Sequence, residues 1–243
     1  MQDNVTESYM LRACGFLFIF IPLTFFFALS AILCSFFDRN GTLYHRHARG
    51  WSRVGLRLAG IKLEVVGAEK VPVGSPVIFM SNHQGNFDIL ALFLAIPQRF
   101  SWIAKEELFR IPVFGHSMAR AGYIPLNRGG DGRRALKSVE AAAATIRGGR
   151  SVVIFPEGTR TADGALLPFK KGGFLLAGKA GVPVVPLTIN GSMQINPKTR
   201  LELCPGTIRI VFADPIPTAG AAGKERERLM AEVWQAINGG LER

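Results

Sequence analysis

Cysteine is scarce: the three present, Cys14, Cys34 and Cys204, lie far apart and form no C-x-x-C pair. That spacing excludes a disulfide framework and a zinc site, and it fits small apolar residues in a reducing compartment. No metal is expected. Acid is also short, with 18 Asp and Glu against 29 Lys and Arg and a formal net charge of +11. Charged residues make up only 19% of the chain and apolar ones 48%, so apolar and basic character together point to an anionic membrane surface. Nucleic acid is the rival explanation of the charge. It is disfavoured because the chain has neither an RNA-binding aromatic motif nor zinc-finger spacing. A Gly-x-Ser-x-Gly elbow is missing too, which argues against a serine hydrolase. No internal repeat or low-complexity linker divides the chain, and 243 residues suit one sizeable domain with a full core.

The longest feature present is an uncharged run over residues 13–37, crowded with Phe, Leu and Ile. It is long enough to span a bilayer. It follows an acidic rather than a basic segment and lacks a small-x-small end, so it reads as a retained anchor and not a cleaved signal peptide. Pro22, Thr24 and Ser30 leave room for a kink, so both a full span and a dip that returns to the same face stay open. Over 43–61, winding at about 100° per residue sets Arg46, Arg49, Arg53 and Arg57 in one stripe and Trp51, Val54, Leu58 and Ile61 in another. Leu56 breaks that pattern. The expectation is an amphipathic helix in the headgroup layer with its arginines toward lipid phosphate, with an ordinary surface helix packed on the domain as the alternative. Arginine just after the apolar run places the body of the protein on the cytoplasmic face, and the expected location is the cell inner membrane.

From residue 62 the chain alternates short β-rich runs, at 63–66, 77–80, 100–104, 123–126, 152–155, 184–189 and 208–212, with helical stretches at 88–96, 133–146, 169–179 and 224–237. This predicts an α/β fold, a layered domain with a mixed, largely seven-stranded sheet flanked by helices. The division expected is a membrane-anchoring segment over 1–61 and a catalytic domain over 62–243.

The chemistry concentrates at strand ends. Ser81-Asn82-His83-Gln84-Gly85-Asn86-Phe87-Asp88 sets an imidazole five residues ahead of a carboxylate, between two apolar runs. Asp88 falls in the first turn of a helix, where negative charge is favoured, and an imidazole held by a carboxylate is a general base. Backbone amides near this turn are the candidate oxyanion donors. Phe155-Pro156-Glu157-Gly158-Thr159-Arg160 follows another strand, and the Gly158 amide, the Thr159 hydroxyl and the Arg160 guanidinium form a donor set for an anionic oxygen group. Glu157 is expected to hold a neighbouring Arg or Lys or to touch a polar part of the substrate. Lys105 and Arg128 close two further strands, and if these ends share one edge they converge beside His83. The runs 124–126 and 182–187 offer apolar walls for a greasy substrate, or core. His45, His47 and His116 read as surface residues.

The order of Asn82-His83-(four residues)-Asp88, then Gly122-Tyr123-Ile124-Pro125-Leu126-Asn127-Arg128, then Phe155 through Arg160, then Val182-Pro183-Val184-Val185-Pro186, resembles the four motif blocks of the 1-acyl-sn-glycerol-3-phosphate acyltransferase family. The run Leu167-Pro168-Phe169-Lys170-Lys171-Gly172 is also similar to it, and the resemblance covers roughly residues 60–215. It implies a membrane-bound acyltransferase that moves a fatty acyl group from an acyl carrier protein or coenzyme A thioester to the sn-2 hydroxyl of lysophosphatidic acid, giving phosphatidic acid. No cofactor beyond the thioester co-substrate is implied. Carried onto this sequence, His83 is the base and Asp88 its partner. Arg128, Glu157, Gly158 and Arg160, with Thr159 beside them, belong to acceptor binding, and Lys105 is a further phosphate contact. The family more often has an aliphatic pair and Asp where this chain has Pro125-Leu126-Asn127. That keeps open another lysolipid acceptor, such as a lyso-ornithine lipid or lysophosphatidylglycerol. A membrane lipid-binding protein without catalysis is a separate alternative, and the intact His83 and Asp88 count against it.

Overall fold

The computed structural model describes residues 2–35, 38, 41–126, 132–218 and 221–242. Seven strands form one sheet: β1 (Ile61–Val66), β2 (Ile78–Ser81), β3 (Phe100–Lys105), β4 (Ile124–Leu126), β5 (Ser151–Ile154), β6 (Val184–Asn190) and β7 (Gly206–Phe212). Their order is β1-β7-β6-β2-β5-β3-β4. The β6–β7 pair is antiparallel and the others parallel, so the sheet is mixed, as the alternation of runs predicts.

Side chains alternate across a strand, and that alternation builds two cores. Val77 and Phe79 join a cluster on one face with Phe87, Leu90 and Phe93. Ile78 and Met80 join Val139, Ile146, Phe174 and Val233 on the other. The first face carries α1 (Gln2–Ser35), α2 (Thr42–Ala59) and α3 (Phe87–Ala95). The second carries α5 (Gly132–Arg147), α6 (Lys171–Ala180) and α8 (Lys224–Gly239). Two shorter helices, α4 (Phe114–Arg120) and α7 (Ser192–Ile195), have too few turns to show in an apolar period. Helix α6 begins at Lys171 and not at 169, because the Lys170 amide donates to the Pro156 carbonyl at 2.9 Å and holds the preceding residues against the loop after β5.

Helix α1 is continuous across Pro22, so no re-entrant turn forms there. Its segment Thr6–Cys34 is long and apolar enough to cross a membrane, with mean hydropathy 2.6 and little of its most apolar stretch buried. It is not a detached anchor. Phe20 stacks on Trp51 of α2 with centroids 5.3 Å apart, and the Trp51 indole N–H donates to Thr24 Oγ1 at 2.9 Å. Gly55 lets α2 meet two neighbours at once, since a Cβ there would lie 2.5 Å from Leu90 and 2.7 Å from Phe20.

The face of α2 turned to the core is Tyr44, Ser52, Gly55, Leu56 and Ala59. Leu56, which breaks the expected stripe, is therefore a core residue, and Leu58 of that stripe is exposed. Arg49 also departs from the expected lipid-facing row. Its guanidinium donates to the carbonyls of Phe93 (3.0 Å), Ile96 (3.2 Å) and Leu94 (3.4 Å), closing the C-terminal end of α3, where a cation and its donors are favoured. Arg46, Arg53 and Arg57 remain exposed. Arg49→Ala is expected to lower unfolding stability by about 1–3 kcal/mol, the cost of stripping charged donors from buried carbonyls, with Arg49→Lys recovering only part because it lacks the fork. Thermal unfolding in detergent checks this, and Arg53→Ala serves as the nearly neutral comparison.

Candidate active site

The parallel strands β2, β5 and β3 are neighbours, so their C-terminal ends share one edge of the sheet. Beyond them lie His83, the loop from Phe155 to Arg160, and Lys105. The sequence-derived site residues are thereby brought together, except Arg128, which lies outside the described residues. Such an edge is where ligands of α/β sheets bind.

His83 Nδ1 lies 2.7 Å from Asp88 Oδ2. A carboxylate only accepts, so Nδ1 is the donor in this bond, which in a neutral imidazole leaves the lone pair on Nε2. Asp88 sits in the first turn of α3 and is fully buried. The same Oδ2 also accepts the amides of Gln84 at 2.7 Å and Gly85 at 3.0 Å. Asn82 ties the turn to β6 by donating to the Ile189 carbonyl (2.8 Å) and accepting the Ile189 amide (2.7 Å). In this way a side chain continues the pairing where the β2 backbone leaves the sheet.

Glu157 is 2% exposed. One carboxylate oxygen accepts the His83 amide at 2.7 Å and the other the Leu167 amide at 2.8 Å. Burial pushes this carboxyl above its usual range, and the two amide bonds oppose the shift. Both oxygens are thus committed to backbone, not to a neighbouring cation or an acceptor. These bonds also narrow the set of candidate oxyanion donors at the turn. The amides of His83, Gln84 and Gly85 are all occupied, by Glu157 and Asp88.

Gly158 likewise does not present its amide outward, because that N–H donates to the Phe155 carbonyl at 3.0 Å. The glycine is needed for its positive φ of 73° and for proximity, since a Cβ would meet Lys170 Nζ at 2.8 Å. Thr159 is exposed and Arg160 half-buried. Lys198 Nζ donates to the Arg160 carbonyl at 2.7 Å and approaches Thr159 Oγ1 at 3.4 Å. Among the described residues neither the Arg160 guanidinium nor Lys105 is engaged by a carboxylate, which leaves both for an anion. Sequence reading missed Lys170 and Lys198 as members of this basic rim. The run from Leu167 to Gly172 held the signal for the first, and nothing local marked the second.

His83, Gly158 and Lys105 stand on the wall of a cavity of about 430 Å³. Its body is apolar and is walled by Phe27 and Ala31 of α1, Trp51 of α2 and Phe114 of α4, among others. The runs 124–126 and 182–187 do not line it; Ile124, Val184 and Leu187 are buried core. His47 lines the cavity, with Nδ1 2.8 Å from the Leu43 carbonyl. His45 packs edge-on against Phe93 and Phe100, and burial, then Arg49 and Arg99, pushes it down to about 4. Neither is a plain surface residue; His116 is exposed. Glu157→Ala leaves two amides without acceptors, so stability should fall by about 2–6 kcal/mol at about 1–3 per group. Thermal unfolding in detergent checks this; an unchanged midpoint would mean that neither bond matters to the fold.

The acyltransferase family model matches residues 62–190. The chloroplastic 1-acyl-sn-glycerol-3-phosphate acyltransferase BAT2 of Brassica napus is 39% identical over 184 residues, covering 74% of this chain and 52% of that protein. The human 1-acyl-sn-glycerol-3-phosphate acyltransferase alpha is 35% identical over 163 residues, covering 67% and 58%. The aligned part of the chain thus spans about half the length of the curated relatives it matches. The crystal structure of the 1-acyl-sn-glycerophosphate (LPA) acyltransferase PlsC from Thermotoga maritima matches with a TM-score of 0.80 at 26% identity, over 99% of this chain and 96% of that one. With a family model over more than half its residues and a matching fold along its length, this chain belongs to the acyltransferase family.

Proposed function

We propose that the chain transfers a fatty acyl group from an acyl carrier protein or coenzyme A thioester to the sn-2 hydroxyl of lysophosphatidic acid, giving phosphatidic acid. The observation that carries this reading is His83, held at Nδ1 by the buried Asp88 and standing on the wall of an apolar cavity beside Lys105. The names of the relatives support the acceptor: those proteins are 1-acyl-sn-glycerol-3-phosphate acyltransferases.

In the proposed reaction the acceptor phosphate lies on the basic rim of Lys105 and Arg160, with Arg128 a further candidate. The acyl chain fills the apolar cavity. His83 Nε2 takes the proton from the acceptor hydroxyl as that oxygen attacks the thioester carbonyl, and Asp88 stabilises the imidazolium. The tetrahedral intermediate collapses with breakage of the carbon–sulfur bond, and the proton passes from His83 to the departing thiolate. Atoms and charge balance without an acyl-enzyme.

The same reading places α1 in or on a membrane with anionic lipids. Phe18, Phe25, Phe26, Leu29 and Leu33 are exposed along α1, and Ile111, Val113 and Phe114 are exposed near α4. Exposed apolar surface of this extent marks a membrane or partner contact. The exposed Arg46, Arg53 and Arg57 suit lipid phosphate, and a cytoplasmic inner-membrane face is the orientation proposed.

The test is transfer of a labelled acyl chain to lysophosphatidic acid in detergent micelles. A positioned base is worth about 10² to 10⁴ in rate, roughly 3–5 kcal/mol, so His83→Ala should lose all but a per cent or so of turnover while still binding acceptor. Retention of more than a few per cent would overturn the assignment of the base. Wild type that is inactive on lysophosphatidic acid but active on another lysolipid would move the acceptor and keep the chemistry. Arg160→Ala should raise the acceptor KM about tenfold or more through loss of a bidentate phosphate contact, with a smaller change in kcat.

A further inference from the structure

We infer that Phe155 is a positioning residue for His83, holding the plane of the imidazole and favouring its charged form; this rests on the reading of His83 as the base. The two rings are nearly parallel, 9° apart, with centroids 4.0 Å from one another. Phe155 in turn stacks on Trp102 of β3 at 5.7 Å and 24°. Trp102 is itself locked edge-on between Phe93 and Phe100 in the core. The imidazole is therefore the outermost ring of a stack anchored in the body of the domain.

Asp88 and Phe155 constrain different motions. The bond from Nδ1 to Asp88 fixes where one edge of the ring points, but a single bond lets the ring rock about it. A phenyl face lying flat against the imidazole removes that rocking. The direction of Nε2 into the cavity is then set by the pair. Geometry near a reacting atom matters at this scale, since a misplacement of about 1 Å can cost about 10²-fold.

The second contribution is electrostatic. When His83 takes the hydroxyl proton it becomes a cation lying over an aromatic face, well inside the roughly 6 Å at which the ring quadrupole attracts it. For partly desolvated cations such a contact shifts an equilibrium by about 2- to 30-fold, and the His83 side chain is only 19% exposed. Asp88 acts on the imidazolium from the ring edge and Phe155 from the ring face. The other charged groups around the ring among the described residues are Glu157 on its backbone amide, Lys105 on the cavity wall and Lys170 over Gly158. A substitution at 155 changes none of these charges.

The experiment compares wild type, Phe155→Leu, Phe155→Met, Phe155→Tyr and His83→Ala in the lysophosphatidic acid transfer assay across pH, with thermal unfolding alongside. Losing the ring makes the imidazolium harder to form, so the base stays unprotonated to lower pH. Both ring-free variants should show kcat lowered about 3- to 30-fold, acceptor KM within about twofold, and the acid limb of kcat/KM moved down by about half to one and a half pH units. Phe155→Tyr should restore kcat to within about threefold and return the limb to its wild-type position. NMR titration of the His83 ring C–H, assigned by its loss in His83→Ala, should show the same displacement without substrate. If both ring-free variants fold, yet neither the limb nor the NMR midpoint moves, Phe155 is packing only and the inference fails, whatever happens to kcat. If His83→Ala keeps its activity, the base assignment itself fails and takes this inference with it. An inactive His83→Ala beside an unmoved limb rejects the inference alone.

Discussion

One buried carboxylate organises this protein. Asp88 Oδ2 collects the imidazole of His83 and the amides of Gln84 and Gly85, so a strand end, a tight turn and the first turn of α3 close on a single oxygen. Taking a carboxylate out of water is expensive unless it is hydrogen-bonded, and here the bonds that offset the cost also define the turn. Glu157 repeats the device from the next strand by binding the His83 and Leu167 amides, and Asn82 does so toward β6. Three polar side chains thereby replace sheet pairing where the sheet stops. The consequence for chemistry is restrictive: amides used to build the turn are not free to hold a developing oxyanion, and that charge has to be met by other donors.

Much of the fold was legible because the signals are local. All seven β-rich runs became strands, and α2, α5, α6 and α8 end at glycines, as at Gly181, which takes positive φ and returns its amide to Ala177. The His83–Asp88 pair was equally readable, since both residues sit within one turn. What could not be read depends on separation in the chain. Glu157 looks like a ligand in sequence, yet its partners are a backbone amide 74 residues earlier and another ten later. Arg49 fits an amphipathic stripe by period, but α3 ends beside it, and three carbonyls there outcompete solvent. Leu56 violates the stripe because it lies on the face of α2 that is turned to the core.

The apolar walls show the same limit in reverse. The strand residues of 182–187 are as greasy as any in the chain, but their strand lies deep in the sheet and both of its faces are consumed by the two cores. The cavity instead forms where the sheet edge meets α1, α2 and α4, surfaces with apolar residues to spare. Sequence alone reports how much apolar surface a segment carries. Whether that surface is covered is a property of the packing.

This bears on how the N-terminal helices relate to catalysis. Along α1 the outward side chains Phe18, Phe25, Phe26, Leu29 and Leu33 alternate with Phe27, Ala28 and Ala31, which face the cavity. A helix has room for both faces at 3.6 residues per turn, and here one serves the proposed membrane contact while the other walls the site that ends at His83. An acyl chain bound there would lie against the same helix that meets the bilayer, separated from it by the thickness of that helix, about 10 Å. Anchoring and substrate binding are then not successive tasks of two domains. Removing α1 would uncover the cavity, because Thr24, Phe27, Ala28 and Ala31 wall it and the Phe20–Trp51 stack and the Trp51–Thr24 bond hold that helix against α2.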